Sequence, residues 1–234
     1  MSFIAPRGVC GLLVICVCGS PGSHQGADAG TLGDSGGPGD DGGGRTGDGG
    51  TGPGVAMMCP GPGSPKRNGM GCGTERWDIK TGTDSQASQI SLVPQPNTIA
   101  ALVALPAAGG GTTREMPTET TVWQLSNVTL TELKEESDSD YHMVLSDGSK
   151  TLIAEIPAPS CTTTSGWKCF VSRARSEVDA AYAVTTTPIY PAATVTVRGV
   201  GFFDYPHGQN GVAPNAIELH PVLEVCFGKD CTPD

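Results

Sequence analysis

Residues 119–234 of this chain predict a mainly β fold: a small closed β-barrel with one helix between its third and fourth strands. Three observations favour this fold class. A long first strand changes face along its length, a tight hairpin follows it, and an amphipathic helix precedes the last two strands. This order of elements is typical of an OB-fold-like barrel, and an irregular β-sandwich is the alternative.

The first strand, residues 121–134, alternates apolar and polar side chains but changes parity in its middle. The apolar side chains up to Leu125 lie on one face, whereas those from Val128 onward lie on the other. A parity change inside one strand is what a β-bulge produces. We therefore expect a bulge near Ser126 or Asn127.

The second and third strands, residues 140–146 and 150–156, flank Asp147-Gly148, a dipeptide typical of type I′ hairpin turns. The turn fixes the register of the hairpin. One face then carries the apolar side chains Tyr141, Met143, Leu145, Leu152, Ala154 and Ile156. The opposite face carries Asp140, His142 and Glu155.

An amphipathic helix is predicted next, because apolar side chains recur at every fourth position, at Phe170, Ala174, Val178 and Tyr182. The last two strands follow at residues 194–204 and 217–227. Pro221 lies inside the last strand and lacks the N–H that a ladder requires, so it predicts a bulge or an edge position.

Residues 1–18 are predicted to form a signal segment, in which an apolar run follows the single charge of Arg7. The run is too short to span a bilayer as a stable helix. Cys18 or Cys16 is the candidate for lipidation, and cleavage without lipidation is the alternative. We therefore expect an exported bacterial protein, either lipid-anchored in the cell envelope or extracellular.

Residues 19–73 are expected to be a disordered tether, because this Gly/Asp/Ser/Pro-rich stretch has too little apolar surface to offset the entropy of ordering. Within it, GDSGGP at residues 33–38 matches the segment around the nucleophile of trypsin-like proteases. The catalytic His and Asp of that family would have to precede Ser35, where only signal and tether lie, so the match is chance. Residues 74–118 are expected to form an extended arm that packs on the core and contains a short helix.

Six cysteines lie beyond the signal segment: Cys59, Cys72, Cys161, Cys169, Cys226 and Cys231. An even number in an exported chain predicts disulfides. Because the cysteines form three pairs of sequence neighbours, we expect the pairings 59–72, 161–169 and 226–231. A zinc site at these cysteines is disfavoured, since no pair has C-x-x-C spacing.

The charge balance narrows the classes of partner. The chain has 24 acidic and 14 basic residues, a formal net charge of −10. Phosphate backbones bind through Lys and Arg, so an acidic module disfavours nucleic acid. We expect a protein or small-molecule ligand, with the membrane contacted only through an N-terminal lipid anchor.

Two strings carry a resemblance to a known family. DSDYHMVLSDGSKTLIAEIPAPSC and VRGVGFFDYPHGQNGVAPNAIELHPVLEV resemble a module of uncharacterised exported bacterial proteins, and the upstream ERWDIKTGTD resembles their entry arm. The resemblance covers roughly residues 75–225 and implies a bacterial envelope or secreted setting with an OB-like module. It carries no known activity, so it transfers no catalytic residue to this chain.

Five polar residues form the candidate ligand or metal cluster: His142, Glu155, His207, Glu218 and His220. The hairpin register places His142 diagonal to Glu155, and alternation places Glu218 and His220 on one face of the last strand. In an OB topology strands three and five are neighbours, so both groups should meet on one outer, solvated face. Such a cluster could hold a divalent metal. Plain His–Glu pairs on a solvated sheet are the alternative, and no other cofactor is predicted.

Two function classes follow. The first is an exported, surface-tethered, non-catalytic binding or structural module, which the long tether, the acidic balance and the lack of a complete catalytic set favour. The second is a secreted, metal-assisted, nuclease-like hydrolase that uses the His/Glu cluster. Only the clustering and fold analogy favour the hydrolase, so the sequence points toward a protein that is not an enzyme.

Overall fold

Five strands close into a barrel in the computed structural model, which describes residues 71–206 and 208–233. The described strands are β1 Ser91–Asn97, β2 Thr121–Glu135, β3 Tyr141–Ser146, β4 Thr151–Ile156, β5 Ala193–Phe203 and β6 Ile217–Phe227. The helices are α1 Trp77–Thr81, α2 Ile99–Val103 and α3 Lys168–Ala181. The predicted signal segment, the tether up to residue 70, Cys16, Cys18, Cys59 and His207 lie outside the described residues.

The barrel has the strand order expected of an OB-fold-like barrel. Its strands follow the order β2-β3-β4-β6-β5, and β5 pairs with β2 to close the ring. β4 and β6 pair in parallel, whereas the other pairings around the barrel are antiparallel. α3 lies between the third and fourth barrel strands in the chain, so the predicted fold class is confirmed. An additional strand, β1, pairs in parallel with β2.

Both predicted irregularities of the strands are present. The register between β2 and β5 shifts between Leu125 and Val128, and Asn127 has a φ of 56° in the left-handed region. The register between β5 and β6 shifts around Pro221. These bulges let long strands bend around a small barrel.

The β3–β4 turn lies one residue further along the chain than predicted. Ser146 pairs with Thr151, and the N–H of Asp147 donates to the carbonyl of Lys150, so Gly148 and Ser149 are the two central residues. A turn centred on Asp147-Gly148 would pair Ser146 with Ser149, so the predicted register is wrong by two residues, although each side chain keeps its predicted face. Only Gly148 has a positive φ, 90°, which is the pattern of a type II′ turn rather than of type I′. The expected type I′ assignment is therefore wrong.

The apolar face of the hairpin lines the barrel interior, as predicted. All six of its apolar side chains, Tyr141, Met143, Leu145, Leu152, Ala154 and Ile156, are buried. The helix α3 adds a buried stripe of Val171, Ala174 and Val178 that joins the same core. Tertiary burial thus follows the period-two and period-3.6 patterns of the sequence.

Two buried ion pairs stabilise the arm, one with the residue that follows it and one between two of its own residues. Arg76 binds Glu119 at 2.7 Å, and Arg114 binds Asp84 at 2.6 Å. The guanidinium of Arg76 also donates to the carbonyl of Phe203 at the end of β5. Through Arg76, the start of the arm is held against the barrel.

The disulfides only partly follow the sequence-neighbour prediction. Cys226–Cys231 forms as expected, but Cys72 pairs with Cys161, so the expected 59–72 and 161–169 pairings are wrong. Cys169 is also disulfide-bonded. The physical reason is that a disulfide needs Cα atoms within roughly 4–7 Å, and the fold brings Cys72 to 5.7 Å from Cys161.

None of the helices in residues 71–206 and 208–233 is long and apolar enough to cross a membrane.

Candidate functional site

A network of acidic and imidazole side chains lies on the outward side of β3, β4 and β6. His142 on β3 is paired directly with Glu155 on β4, not diagonally as the sequence predicted. The parallel β4–β6 register pairs Ala154 with Leu219, which brings the next residues along, Glu155 and His220, beside each other. Strand alternation then places Glu218 on the same face as His220.

The expected solvent exposure of this face is wrong. Asp140, His142 and His220 are 0% exposed, Glu218 is 2% exposed and Glu155 is 4% exposed. The cause is tertiary: the start of the arm and the β5–β6 loop cover the outer face of the sheet. A Cβ on Gly211 of that loop would lie 2.6 Å from a methyl carbon of Val144 on β3, so the loop packs directly on the strand.

The part of the arm that covers the network contributes a positive charge from Lys80. The ammonium of Lys80 lies 3.5 Å from a carboxylate oxygen of Asp204, and its charge acts on Glu218 and Glu155. Burial alone would lower the pKa of Lys80, but these carboxylates outweigh it and raise the pKa. The charged groups of Arg76 and Lys80 also make cation–π contacts with the ring of Phe202. The ring of Phe202 lies next to that of His220.

His220 is surrounded by three carboxylates. Its Nδ1 atom lies 3.1 Å from Glu218 Oε1 and 3.2 Å from Glu155 Oε2. Its Nε2 atom lies 3.4 Å from Asp140 Oδ2. Burial opposes a charged ring, but the surrounding carboxylates of Asp140, Glu155 and Glu218 outweigh it and hold the pKa of His220 well above its ordinary value. The three carboxylates therefore favour the imidazolium form of His220.

His142 bonds two acceptors at once. Its Nδ1 atom lies 2.9 Å from Glu155 Oε1, and its Nε2 atom lies 3.2 Å from the backbone carbonyl oxygen of Asn210. Two acceptors require both ring nitrogens to carry a proton, which makes the ring cationic. Burial lowers the pKa of His142, but the hydrogen bond with Glu155 and the charge of Glu136 raise it above its ordinary value overall.

The pKa values of the two buried glutamates, Glu155 and Glu218, are shifted in opposite directions. Burial would raise the pKa of Glu155, but hydrogen bonds from His142 and His220 hold it below its ordinary value. Burial and the charge of Glu155 raise the pKa of Glu218 to about 7. Two carboxylates that share a low-dielectric site cannot both ionise freely, so Glu218 is partly protonated at neutral pH.

An acidic cleft of about 380 Å³ opens above this network. Five carboxylates line it, those of Glu75, Glu136, Asp138, Glu155 and Asp204, together with the ammonium of Lys80. Cys72 and Trp77 form part of its wall. Burial and the neighbouring Asp140 raise the pKa of Asp138, as expected where negative charges crowd together.

Four of the five predicted cluster residues meet in the structure: His142, Glu155, Glu218 and His220. His207 lies outside the described residues. Sequence reasoning missed the contributions of Lys80, Glu136 and Asn210. The acidic run EESDSD before β3 was a usable signal for Glu136, but nothing local to Lys80 or Asn210 indicates that they reach this face.

Comparisons with known proteins add only a distant structural likeness. No protein-family model and no curated protein matches the sequence. A crystal structure from Leishmania major Friedlin, titled as a candidate aspartyl-tRNA synthetase, aligns at a TM-score of 0.36 with 14% identity over 62% of this chain. The chain spans only 23% of that protein. A likeness of this degree carries no argument about function.

Proposed function

We propose that this chain is an exported bacterial protein, tethered at the cell surface, whose barrel is a non-catalytic binding module for a small cationic ligand. The acidic cleft above the buried His/Glu network is the proposed binding site. One observation carries the proposal: among the described residues, five carboxylates and a single ammonium line one cleft of about 380 Å³.

The negative charge of the cleft favours a positively charged ligand. A concave surface lined by like charges concentrates counter-ions and raises their association rate. Asp138 and Glu136 at the rim are half-buried, so their field is screened less than that of fully exposed acids. A ligand that carries one or two ammonium groups fits this field.

The exported setting is supported from two sides. The sequence predicts a signal segment and a tether ahead of residue 74. The described part of the chain contains the disulfides Cys72–Cys161 and Cys226–Cys231, and disulfides persist in oxidising compartments.

A secreted metal-assisted hydrolase is the second candidate function. It is favoured by a mixed His/Glu donor group that borders the cleft, Glu136, His142 and Glu155. The charge of the cleft opposes a nuclease-like substrate, because its carboxylates repel a phosphodiester. Hydrolysis of bis(p-nitrophenyl) phosphate in the presence of Mn²⁺ would favour this candidate over the binding module.

The binding module is tested by calorimetric titration of the full chain with 1,4-diaminobutane in EDTA at low salt. We expect binding that weakens as salt is raised, and no binding of the uncharged 1,4-butanediol. Asp138→Asn keeps an acceptor for the N–H of Asp140 but removes a cleft charge, and it should weaken binding at least threefold. Glu177→Gln, at an exposed position on α3, is the matched control and should bind normally. Equal affinities in the two variants would refute the proposed site.

A further inference from the structure

A group of three donor atoms lies where the buried network meets the cleft. These atoms belong to Glu136, His142 and Glu155, and they fall within 4.8 Å of one another. We propose that this group binds one divalent transition metal, with Zn²⁺ preferred. The inference rests on the proposed function, because the metal would be the cation held at the floor of the same cleft.

The donor spacing suits a tetrahedral ion. Ligand atoms at about 2.0–2.1 Å from Zn²⁺ in tetrahedral geometry lie about 3.3–3.4 Å apart. His142 Nδ1 lies 2.9 Å from Glu155 Oε1 and 3.6 Å from Glu136 Oε1, so these two distances bracket that value. All three donor atoms lie within 4.8 Å of one another.

Each buried ligand is already oriented by a partner behind it. The Nε2–H of His142 donates to the backbone carbonyl of Asn210, which directs Nδ1 toward the two glutamates. The second carboxylate oxygen of Glu155 is held by His220. Metal-binding histidines and carboxylates are commonly fixed in this way by outer hydrogen bonds.

Glu136 is the most exposed of the three ligands. Its Oε1 atom is buried and contacts two cationic groups, at 3.0 Å from the ammonium of Lys134 and 3.6 Å from His142 Nδ1. A bound metal would replace Lys134 as the partner of this atom. Glu136 and Glu155 both line the cleft, which gives an ion a route of entry.

The donor types select the metal. One imidazole and two carboxylates suit Zn²⁺ and, more weakly, Mn²⁺, whereas Ca²⁺ and Mg²⁺ prefer oxygen-only sites with six or more ligands. The metal replaces the proton on His142 Nδ1, so binding releases a proton to the buffer.

A second donor group, Asp140, Glu155 and His220, is less suitable. Neither Asp140 nor His220 lines the cleft. The structure thus favours the group that reaches the cleft.

The test is calorimetric titration of the EDTA-treated, dialysed full chain with ZnCl₂, alongside CaCl₂. We expect one Zn²⁺ per chain that is lost or weakened at least tenfold in Glu136→Gln, with no Ca²⁺ binding. Glu177→Gln is the matched control, and circular dichroism verifies that both variants fold. Zn²⁺ affinity that is unchanged in Glu136→Gln would overturn the site, as would Ca²⁺ binding as tight as that of Zn²⁺.

The diamine titration separates this inference from the proposed function. If Zn²⁺ fails to bind while 1,4-diaminobutane binds in an Asp138-dependent way, the metal site is refuted and the organic-cation site stands. If Zn²⁺ binds through Glu136 and the diamine does not bind, the metal site is supported and the organic ligand is refuted.

Discussion

Nδ1 of His220 on β6 lies 3.2 Å from Oε2 of Glu155 on β4. The contact exists because β4 and β6 pair in parallel, although the helix α3 and the strand β5 separate them in sequence. Glu155 also holds His142 through its other oxygen. One carboxylate therefore joins two imidazolium rings, and the behaviour of the whole site depends on it.

Removing His220 should destabilise the fold strongly. His220→Ala leaves Asp140, Glu155 and Glu218 buried together without their central cation. Breaking a buried charge pair by removing one partner costs about 3–5 kcal/mol. The measurement is the free energy of unfolding from urea denaturation. A loss below about 1 kcal/mol, the value for an exposed pair, would contradict the buried network.

The stability of the fold should decrease with rising pH, and the titration of Glu218 should account for part of this decrease. The pKa of Glu218 is about 7 in the fold and 4.5 ordinarily, so folding favours its protonated form. Its stabilising contribution is complete below pH 4.5 and is lost as the pH rises through about 7. The raised pKa values of His142 and His220 act in the same direction, because their contribution is present below 6.5 and is lost as the pH rises through the folded values.

Urea denaturation in EDTA at several pH values tests this dependence. We expect the free energy of unfolding to fall between about pH 5 and pH 8 in the wild type, and to fall less steeply in Glu218→Gln. Glu177→Gln should run parallel to the wild type. A slope that is the same in Glu218→Gln and in the wild type would show that Glu218 does not titrate in this range.

The buried ion pair between Arg114 and Asp84 should contribute strongly to the stability of the arm. Arg114 also donates to the carbonyls of Ile79 and Glu119, so Arg114→Met leaves a largely buried carboxylate without its cation and removes two further hydrogen bonds. We expect a loss of about 3–5 kcal/mol in thermal or urea unfolding. Lys168→Met, at an exposed position, is the control and should change stability by less than about 0.5 kcal/mol. Similar losses in the two variants would show that this ion pair does not stabilise the arm.

The two described disulfides should differ in their effect on stability. Cys72–Cys161 spans a sequence separation of 89 residues and Cys226–Cys231 a separation of 5. In the loop-entropy description the first constrains the unfolded chain by about 4–5 kcal/mol and the second by about 2 kcal/mol. Replacing both cysteines of each pair by serine, followed by differential scanning calorimetry, should therefore lower the Tm more for the first pair. The reverse order would disprove this expectation.

Much of the barrel was predictable from the sequence because its signals are local. The parity change around Asn127 marks a bulge, and Asp147-Gly148 locates the hairpin and the faces of its strands, although not the register. Side-chain alternation in β3, β4 and β6 depends only on strand geometry. For the same reason the common face of His142 and Glu155 follows from the sequence alone.

The environment of that face was decided only by the tertiary structure. Strand alternation determines which side chains share a face of the sheet. It does not determine whether other parts of the chain cover that face. Lys80 from α1 and Asn210 from the β5–β6 loop come from distant positions and bury the network. The same long-range packing places Cys72 beside Cys161. Burial and disulfide pairing both depend on distances across the fold, which local sequence patterns do not contain. Burial raises the pKa of Glu218, whereas the partners that the fold brings together lower the pKa of Glu155 and raise that of His220 against the effect of burial.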